Sequence, residues 1–526
     1  MTQQFENGPP KNAAGRNGMM IAPHWQASEA GLAVLARGGN AIEAVIAAGA
    51  ALSVLYPHFC GLGGDAVWMV SDADGKVSSL LGIGQAPQNI DGIESIAVRG
   101  PGSMLTTACL VDSWGVLLDH SKDLWGGVES FANLLAPAIQ LAEESFAVSP
   151  SQQFWFDLRA GERGSWPGFA NLFVREGLQR QPQLAETLRS LAQNGPRDFY
   201  EGALARKIAK GLGDLGAPLT LDDLAATRAR FAKPVSLTYR DLTLLAPPPP
   251  TQGLTTLGIM GVLGHHSMAD EPYGSAGFYH HLVEAVKQAF LDRQVIADPD
   301  FSGLAEAALL LDPAHLRAKA QTINADQAFD WPHIYKQGDT SFLAAVDAQG
   351  RAACVLQSIY FDWGSGAVVG DTGILWQNRG AAFNLDPKSP NCLQASKRPF
   401  YTLNPGIALK NGRPHLVYGT QGADGQPQTL ALLLSLLIDH GLSPEAALAQ
   451  PRFLLGKTFS DSRDSLKLED NLSETVLANL QARGHQLSRL PAFSPLGGQA
   501  GIIKIEDDGR ILAAHDPRSD GAALAL

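Results

Sequence analysis

Gly338-Asp339-Thr340-Ser341-Phe342-Leu343-Ala344-Ala345-Val346-Asp347-Ala348-Gln349-Gly350 is the stretch at which the chain changes texture. Residues 341–347 form an apolar run of strand length, closed by the turn at 348–350. Taken alone, residues 338–341 read as a turn leading into that strand, with a local hydrogen bond from the Asp339 side chain. Downstream, short apolar runs alternate with turns: AACVLQSIYF, GAVVGD, TGILWQN, GIALK and HLVYG. A helix over 429–440 follows a glycine-containing loop.

Upstream, the periodicity is helical. Residues 1 to about 18 read as a loose tail. From Gln26 to Ala51, small and apolar residues recur at helical spacing around Gly38-Gly39, which predicts two helices joined by a turn. The glycine-rich loop GLGGDAVWMV (61–70) runs into a strand; with no Lys-Ser/Thr after it, close backbone packing is expected rather than a phosphate cradle. Residues 110–230 are mostly helical, with Thr220 and Asp223 placed as a capping-box variant. A strand SLTYRDLTLLA (236–246) ends at the stiff turn Pro247 to Pro250. A further helix carries His280, His281 and Glu284 on a partly exposed face and continues to Asp292. A helix-rich first two-thirds and a strand-rich last third predict two sheets faced by helices in one compact unit.

The chain has 526 residues, 45% hydrophobic and 17% charged, with 40 Lys+Arg against 52 Asp+Glu and a net charge of −12. That composition describes a globular protein with a sizeable core. A pI near 5.5 argues against a phosphate-tracking nucleic-acid binder but leaves room for a basic pocket and an anionic small substrate. The four cysteines are widely spaced and read as small buried hydrophobes. The N-terminal segment lacks an apolar signal region, and the best apolar run, 41–55, is too short to span a bilayer. A soluble cytoplasmic protein without a membrane partner is expected. His281 and Glu284 could ligate a metal, but no third ligand lies at a matching spacing, so no metal is expected.

Beyond these local readings, the chain resembles the γ-glutamyltransferase family of N-terminal nucleophile hydrolases along nearly its whole length. The resemblance rests on GGNAIEAVIAAGAALSVLYPHFCGLGGD, YHHLVEAVKQAFLDR with the following DPDF, GDTSFLAAVDAQG and WGSGAVVGDTGILWQN. It continues through SKRPFYTLNP, GTQGADGQPQT and DPRSDGAA, in matching order and spacing. It implies an α+β fold, an αββα sandwich of two stacked antiparallel sheets flanked by helices. It also implies a precursor that cleaves itself between Asp339 and Thr340. The products would be a large subunit (1–339) and a small subunit (340–526), held together as a heterodimer in one unit. Thr340 would then be the nucleophile, and its freed α-amine, with an ordinary pKa of about 8, the general base. Backbone N–H groups of Gly422 and Ala423 would hold the oxyanion, and Ser358 would hydrogen-bond the nucleophile. No cofactor is implied.

The departures from the family pattern carry information too. Where γ-glutamyl enzymes hold the α-carboxylate with an arginine, this chain has Ile83; where they hold the α-amine with an acid, it has Ala382. A serine pair becomes Tyr401-Thr402, and a small polar residue near the nucleophile becomes Tyr360. Losing those polar partners should abolish γ-glutamyl preference. Arg379 is new, and with Tyr360, Tyr401 and Thr402 it would form a small pocket for an amide whose carboxylate lies close to the scissile bond. The pattern most resembles the branch that hydrolyses oxamate to oxalate and ammonia in urate and allantoin breakdown. The alternatives are a γ-glutamyl hydrolase or transpeptidase, a glutaryl-type acylase, and an uncleaved, non-catalytic homologue.

Overall fold

The structure, a computed structural model, describes residues 9–302, 307, 309–331, 333, 339–457 and 461–526; Gly338 lies outside them. The apolar run after Thr340 is a strand, part of Asp339–Asp347. It is paired on both edges, with Gly18–Ala22 on one side and Ala352–Tyr360 on the other. Beyond Gly18–Ala22 lies Ala522–Ala525; beyond Ala352–Tyr360 lie Asp65–Ser71, Val77–Gly82 and Arg230–Ala232. A second antiparallel sheet runs Asn12–Gly15, Ile511–His515, Ala500–Ile505, Arg413–Thr420, Gly406–Lys410, Leu242–Ala246, Val235–Tyr239.

Side-chain alternation stacks these layers. Phe342, Ala344 and Val346 meet Met69, Leu356, Val417 and Ile503 between the sheets. Leu343 and Ala345 point the other way, into a core with Trp68, Val355 and the helix Ala41–Leu55. With both faces buried, the strand has no polar side, which explains its continuous apolar sequence. Helix Ala41–Leu55 is buried throughout and opens with a reciprocal Asn40–Glu43 capping box. On the outer face of the second sheet, Gly253–Leu263 and most of Gly425–Ile438 are buried as well. The order helix, sheet, sheet, helix is the expected αββα sandwich. The helix pair Trp25–Ala36 and Ala41–Leu55 turns at Gly38, φ +89°. The Thr220–Asp223 capping box forms as expected. Among the described residues, no helix is long and apolar enough to cross a membrane.

Four expectations need correction. The N-terminal tail is not loose throughout: Asn12–Gly15 and Gly18–Ala22 are strands, recruited by the distant strands Ile511–His515 and Asp339–Asp347. Residues 236–246 do not form one strand but the arms of a hairpin that turns at Arg240, φ +54°. The helix expected at 429–440 is Gly425–Ile438, because Pro427 in its first turn lacks only an N–H that has no helical partner there. His280 and Glu284 are buried rather than partly exposed.

The C-terminal end of the chain locks the second sheet beside the turn that follows Thr420. Arg518 bonds both Glu469 and Asp516, and Arg452 reaches Asp516 at 2.9 Å, all four residues buried. Asp516 also accepts from Ala500 N at 2.9 Å. Burial pushes the Asp516 carboxyl up, but Arg452 and Arg518 outweigh it and hold it below its usual value. Replacing Arg518 by Met leaves two buried carboxylates short of a partner. The substitution is expected to cost about 3–5 kcal/mol, read as a lowered midpoint of chemical denaturation at pH 7; an unchanged midpoint would contradict this account.

Candidate active site

Thr340 stands one residue inside its strand and is fully buried. Asp339 pairs with Tyr360 and Ser341 with Gln357, so Ser358 and Ile359 of the partner strand both stand opposite Thr340 and the ladder is bulged there. Its Oγ accepts a hydrogen bond of 2.8 Å from Gln426 Nε2. Ser358 Oγ accepts from Tyr360 N at 2.8 Å and so fixes the backbone of the strand opposite Thr340. Gln426 is thus a donor to Thr340 Oγ that the sequence did not point to.

Gly422 and Ala423 form a turn between strand Arg413–Thr420 and helix Gly425–Ile438, with φ of +126° and +48°. Their carbonyls are engaged: Gly422 O accepts from Gly425 N at 2.6 Å, and Ala423 O from Gln426 N at 3.1 Å and Gln252 Nε2 at 2.8 Å. Among the described residues, neither of their own N–H groups meets an acceptor. Two unpaired backbone donors on one turn are what an oxyanion requires. Ala423 sits in the left-handed region at a cost of about 1–2 kcal/mol, and the Gln252 and Gln426 bonds hold it there.

Arg379 begins the short helical turn Arg379–Ala382 and is fully buried. Its guanidinium carbon lies 4.1 Å from the ring centre of Tyr360 and 4.3 Å from that of Tyr401. Among the described residues, Nε, Nη1 and Nη2 all lack a hydrogen-bond partner. The rings supply cation–π attraction but cannot replace hydrogen bonds to a desolvated charge. A planar cation with its five donors free is a fork for a carboxylate. It is not a surface arginine paired with an acid.

Tyr401 contributes its ring, because its hydroxyl is already committed to Asp65 Oδ2 at 2.8 Å and Gly84 O at 3.2 Å. Asp65 also accepts from Gly84 N and Cys109 N, at 2.9 and 3.0 Å. Burial raises the Asp65 carboxyl to about 6, against the pull of Arg379 and the Tyr401 bond. Tyr360 adopts φ +80°, a strained backbone fixed by the Ser358 bond, and stands opposite Asp339 in the sheet. Thr402 Oγ is buried without a partner among the described residues, while its carbonyl shares Gln252 Nε2 with Ala423. Ile83 and Ala382 are both buried and apolar.

Sequence reasoning missed Gln426, Gln252 and Asp65. Gln426 and Asp65 lie inside the quoted stretches GTQGADGQPQT and CGLGGD, but neither residue type announces its partner. The glycines of the latter loop do pack backbone on backbone: a Cβ on Gly63 would meet Leu375 O at 2.4 Å, and one on Gly64 would meet Ser358 O at 2.3 Å. The structure also corrects the reading of the histidines, since His485 joins His280 and Glu284 in a buried cluster. The facing atoms satisfy one another: His280 Nδ1 meets His485 Nε2 at 2.8 Å, and Glu284 takes Lys287 Nζ at 2.8 Å and Phe329 N at 2.9 Å. The cluster is complete as a hydrogen-bonded brace.

Comparison with known proteins places this geometry. Residues 27–526 match the family model for gamma-glutamyltranspeptidase. The chain is 42% identical to the oxamate amidohydrolase proenzyme of Klebsiella pneumoniae, over 96% of this chain and 98% of that protein. It is 36% identical to a glutathione hydrolase-like proenzyme of Bacillus subtilis, over 98% and 100%. Among solved structures, cephalosporin acylase from Bacillus halodurans superposes with a TM-score of 0.88 at 30% identity, covering 100% of this chain and 99% of that one.

The turn geometry yields a direct test. Ala423→Gly removes a Cβ from a left-handed residue while leaving the backbone donor in place. It is expected to raise stability by about 1 kcal/mol with catalytic rate preserved, measured by denaturant titration beside kinetics. A destabilised Ala423→Gly variant would mean that the methyl group, and not the backbone, is what the turn needs.

Proposed function

The chain belongs to the gamma-glutamyltranspeptidase family, and from that premise we propose that it is a self-processing, cytoplasmic amidohydrolase acting on oxamate. In the uncut chain, Thr340 Oγ adds to the Asp339 carbonyl carbon. The C–N bond breaks, the Oγ proton passes to the departing nitrogen, and water hydrolyses the resulting ester. This yields fragments 1–339 and 340–526, with the α-amine of Thr340 free. The amine then takes the Oγ proton as Oγ attacks the substrate amide, while the Gly422 and Ala423 N–H groups receive the oxyanion. The amine returns the proton to the leaving nitrogen and ammonia departs. Water, deprotonated by the same amine, releases oxalate from the Thr340 ester. Nucleophile and base lie in one residue, so the scheme requires no metal or organic cofactor.

One observation carries the substrate assignment: the fully buried, unpartnered guanidinium of Arg379, clamped on Tyr360, whose strand position faces Asp339. A carboxylate bound there fits an amide whose acid group adjoins the scissile carbon, as in oxamate. Ile83 and Ala382 offer no polar group to a γ-glutamyl moiety. The 42% identity to an oxamate amidohydrolase proenzyme supports the same reading.

Intact mass and an ammonia assay on purified protein test it. The expected result is complete conversion to 1–339 and 340–526 and rapid ammonia release from oxamate, both abolished in Thr340→Ala. Arg379→Met should still self-cleave but lose about 10³-fold or more in kcat/KM. Cleavage with turnover only of γ-glutamyl or glutaryl amides would overturn oxamate, and a protein that stays intact would favour the non-catalytic reading.

The pH dependence separates two groups. The rate constant kcat should fall on the acid side as the Thr340 amine, ordinarily near pKa 8, becomes protonated. KM should fall over the same range, for a separate reason. Asp65, raised to about 6 by burial, is negative above that pH and competes with substrate for Arg379. Below it, Asp65 is neutral and the carboxylate is held more tightly, so KM for oxamate should drop between pH 7.5 and 5. Asp65→Asn should flatten that trend; a slope that survives the substitution would assign it elsewhere.

A further inference from the structure

Packing alone does not account for the side chain of Gln426. The residue lies in the first turn of helix Gly425–Ile438 and is fully buried. Its amide makes one hydrogen bond, the 2.8 Å donation from Nε2 to Thr340 Oγ. Oε1 is buried and, among the described residues, has no partner. A half-satisfied buried amide is less favourable than an apolar side chain of the same volume. The helix's other buried glutamine, Gln428, spends both ends of its amide on backbone groups, whereas at Gln426 a methionine would serve the fold better. The polar group is therefore explained by the hydroxyl it touches.

The backbone of Gln426 is also tied to the oxyanion turn. Its N–H bonds Ala423 O, and the preceding N–H of Gly425 bonds Gly422 O. One five-residue segment thus presents the two free N–H groups and the amide that grips the Thr340 hydroxyl. Resting on the reading of Thr340 as nucleophile, we propose that Gln426 is a positioning residue that fixes Thr340 Oγ for attack and stabilises it as its proton leaves. A donor to Oγ strengthens as the oxygen gains negative charge, because hydrogen bonds to charged acceptors are about twice as strong as neutral ones. The gain is therefore realised in the transition state and not in the resting enzyme. The same bond serves self-cleavage and amide hydrolysis, since Oγ is the attacking atom in both.

Self-cleavage provides a readout that is independent of the substrate. Full-length precursor of Gln426→Met and Gln426→Glu would be followed by intact mass from first synthesis, and the mature forms assayed with oxamate from pH 5 to 8. Gln426→Met is expected to slow self-cleavage and lower kcat by about 10–100-fold each, with KM within about twofold of wild type. Gln426→Glu should be slow where its carboxyl is ionised and recover toward wild type as it becomes a neutral donor. Its rate relative to wild type therefore rises as pH falls. A Gln426→Met protein that cleaves and turns over at the wild-type rate overturns the proposal. So does a Gln426→Glu protein equally impaired at every pH, which would mark a packing role. Thr340→Ala separates the two ideas: if it still cleaves, the nucleophile reading fails before that of Gln426 is reached.

Discussion

Strand Asp339–Asp347 can occupy only one place in this molecule, because it is paired along both edges and buried on both faces. A one-residue slip would exchange Phe342, Ala344 and Val346 with Leu343 and Ala345 between two differently shaped cores. The site inherits that rigidity. Thr340 stands near the head of the strand, and its hydroxyl meets Gln426 on the second sheet's helix. A cut before Thr340 would leave the strand's ladder with Gly18–Ala22 intact, since that ladder runs from Ala344 to Asp347. The proposed fragments would stay joined by hydrogen bonds that the cut does not touch.

Against this frame, the buried charges divide into two kinds. Arg452 and Arg293 are fully buried and face carboxylates, Asp516 at 2.9 Å and Asp424 at 2.8 Å. These pairs brace the structure. Arg379 is equally buried, but among the described residues its nitrogens meet no acceptor. The nearby acid, Asp65, spends its hydrogen bonds on Tyr401 and two backbone N–H groups. Asp65 thus offsets the charge of Arg379 only from a distance. Strain accumulates in the same region: Tyr360 and Ala423, both with positive φ, are each pinned by neighbours that also serve the site.

Much of this was legible in the sequence for identifiable reasons. The all-apolar run after Thr340, the Gly38-Gly39 break, the Thr220–Asp223 box and the close-packed glycines after Cys60 are local signals, each decided within a few residues. Ile83 and Ala382, both apolar, could be read position by position and are buried. Other signals misled: polar and glycine-rich residues 12–18 read as a tail until remote strands were there to pair with them, and Pro427 masked the true start of its helix.

What the sequence alone determined was the layered class of the fold and the location of Thr340 at the start of a buried strand. What only the tertiary structure decided was which side chains meet. Gln426 reaches Thr340 across 86 positions, and Tyr401 reaches Asp65 across 336. Arg379 is covered by two tyrosines from separate segments and, among the described residues, meets no hydrogen-bond acceptor. The physical reason is that periodicity and turn chemistry act over a few residues along the chain. Burial, by contrast, and with it the cost of an unpaired charge, is set by register and by the stacking of layers, which no local window contains.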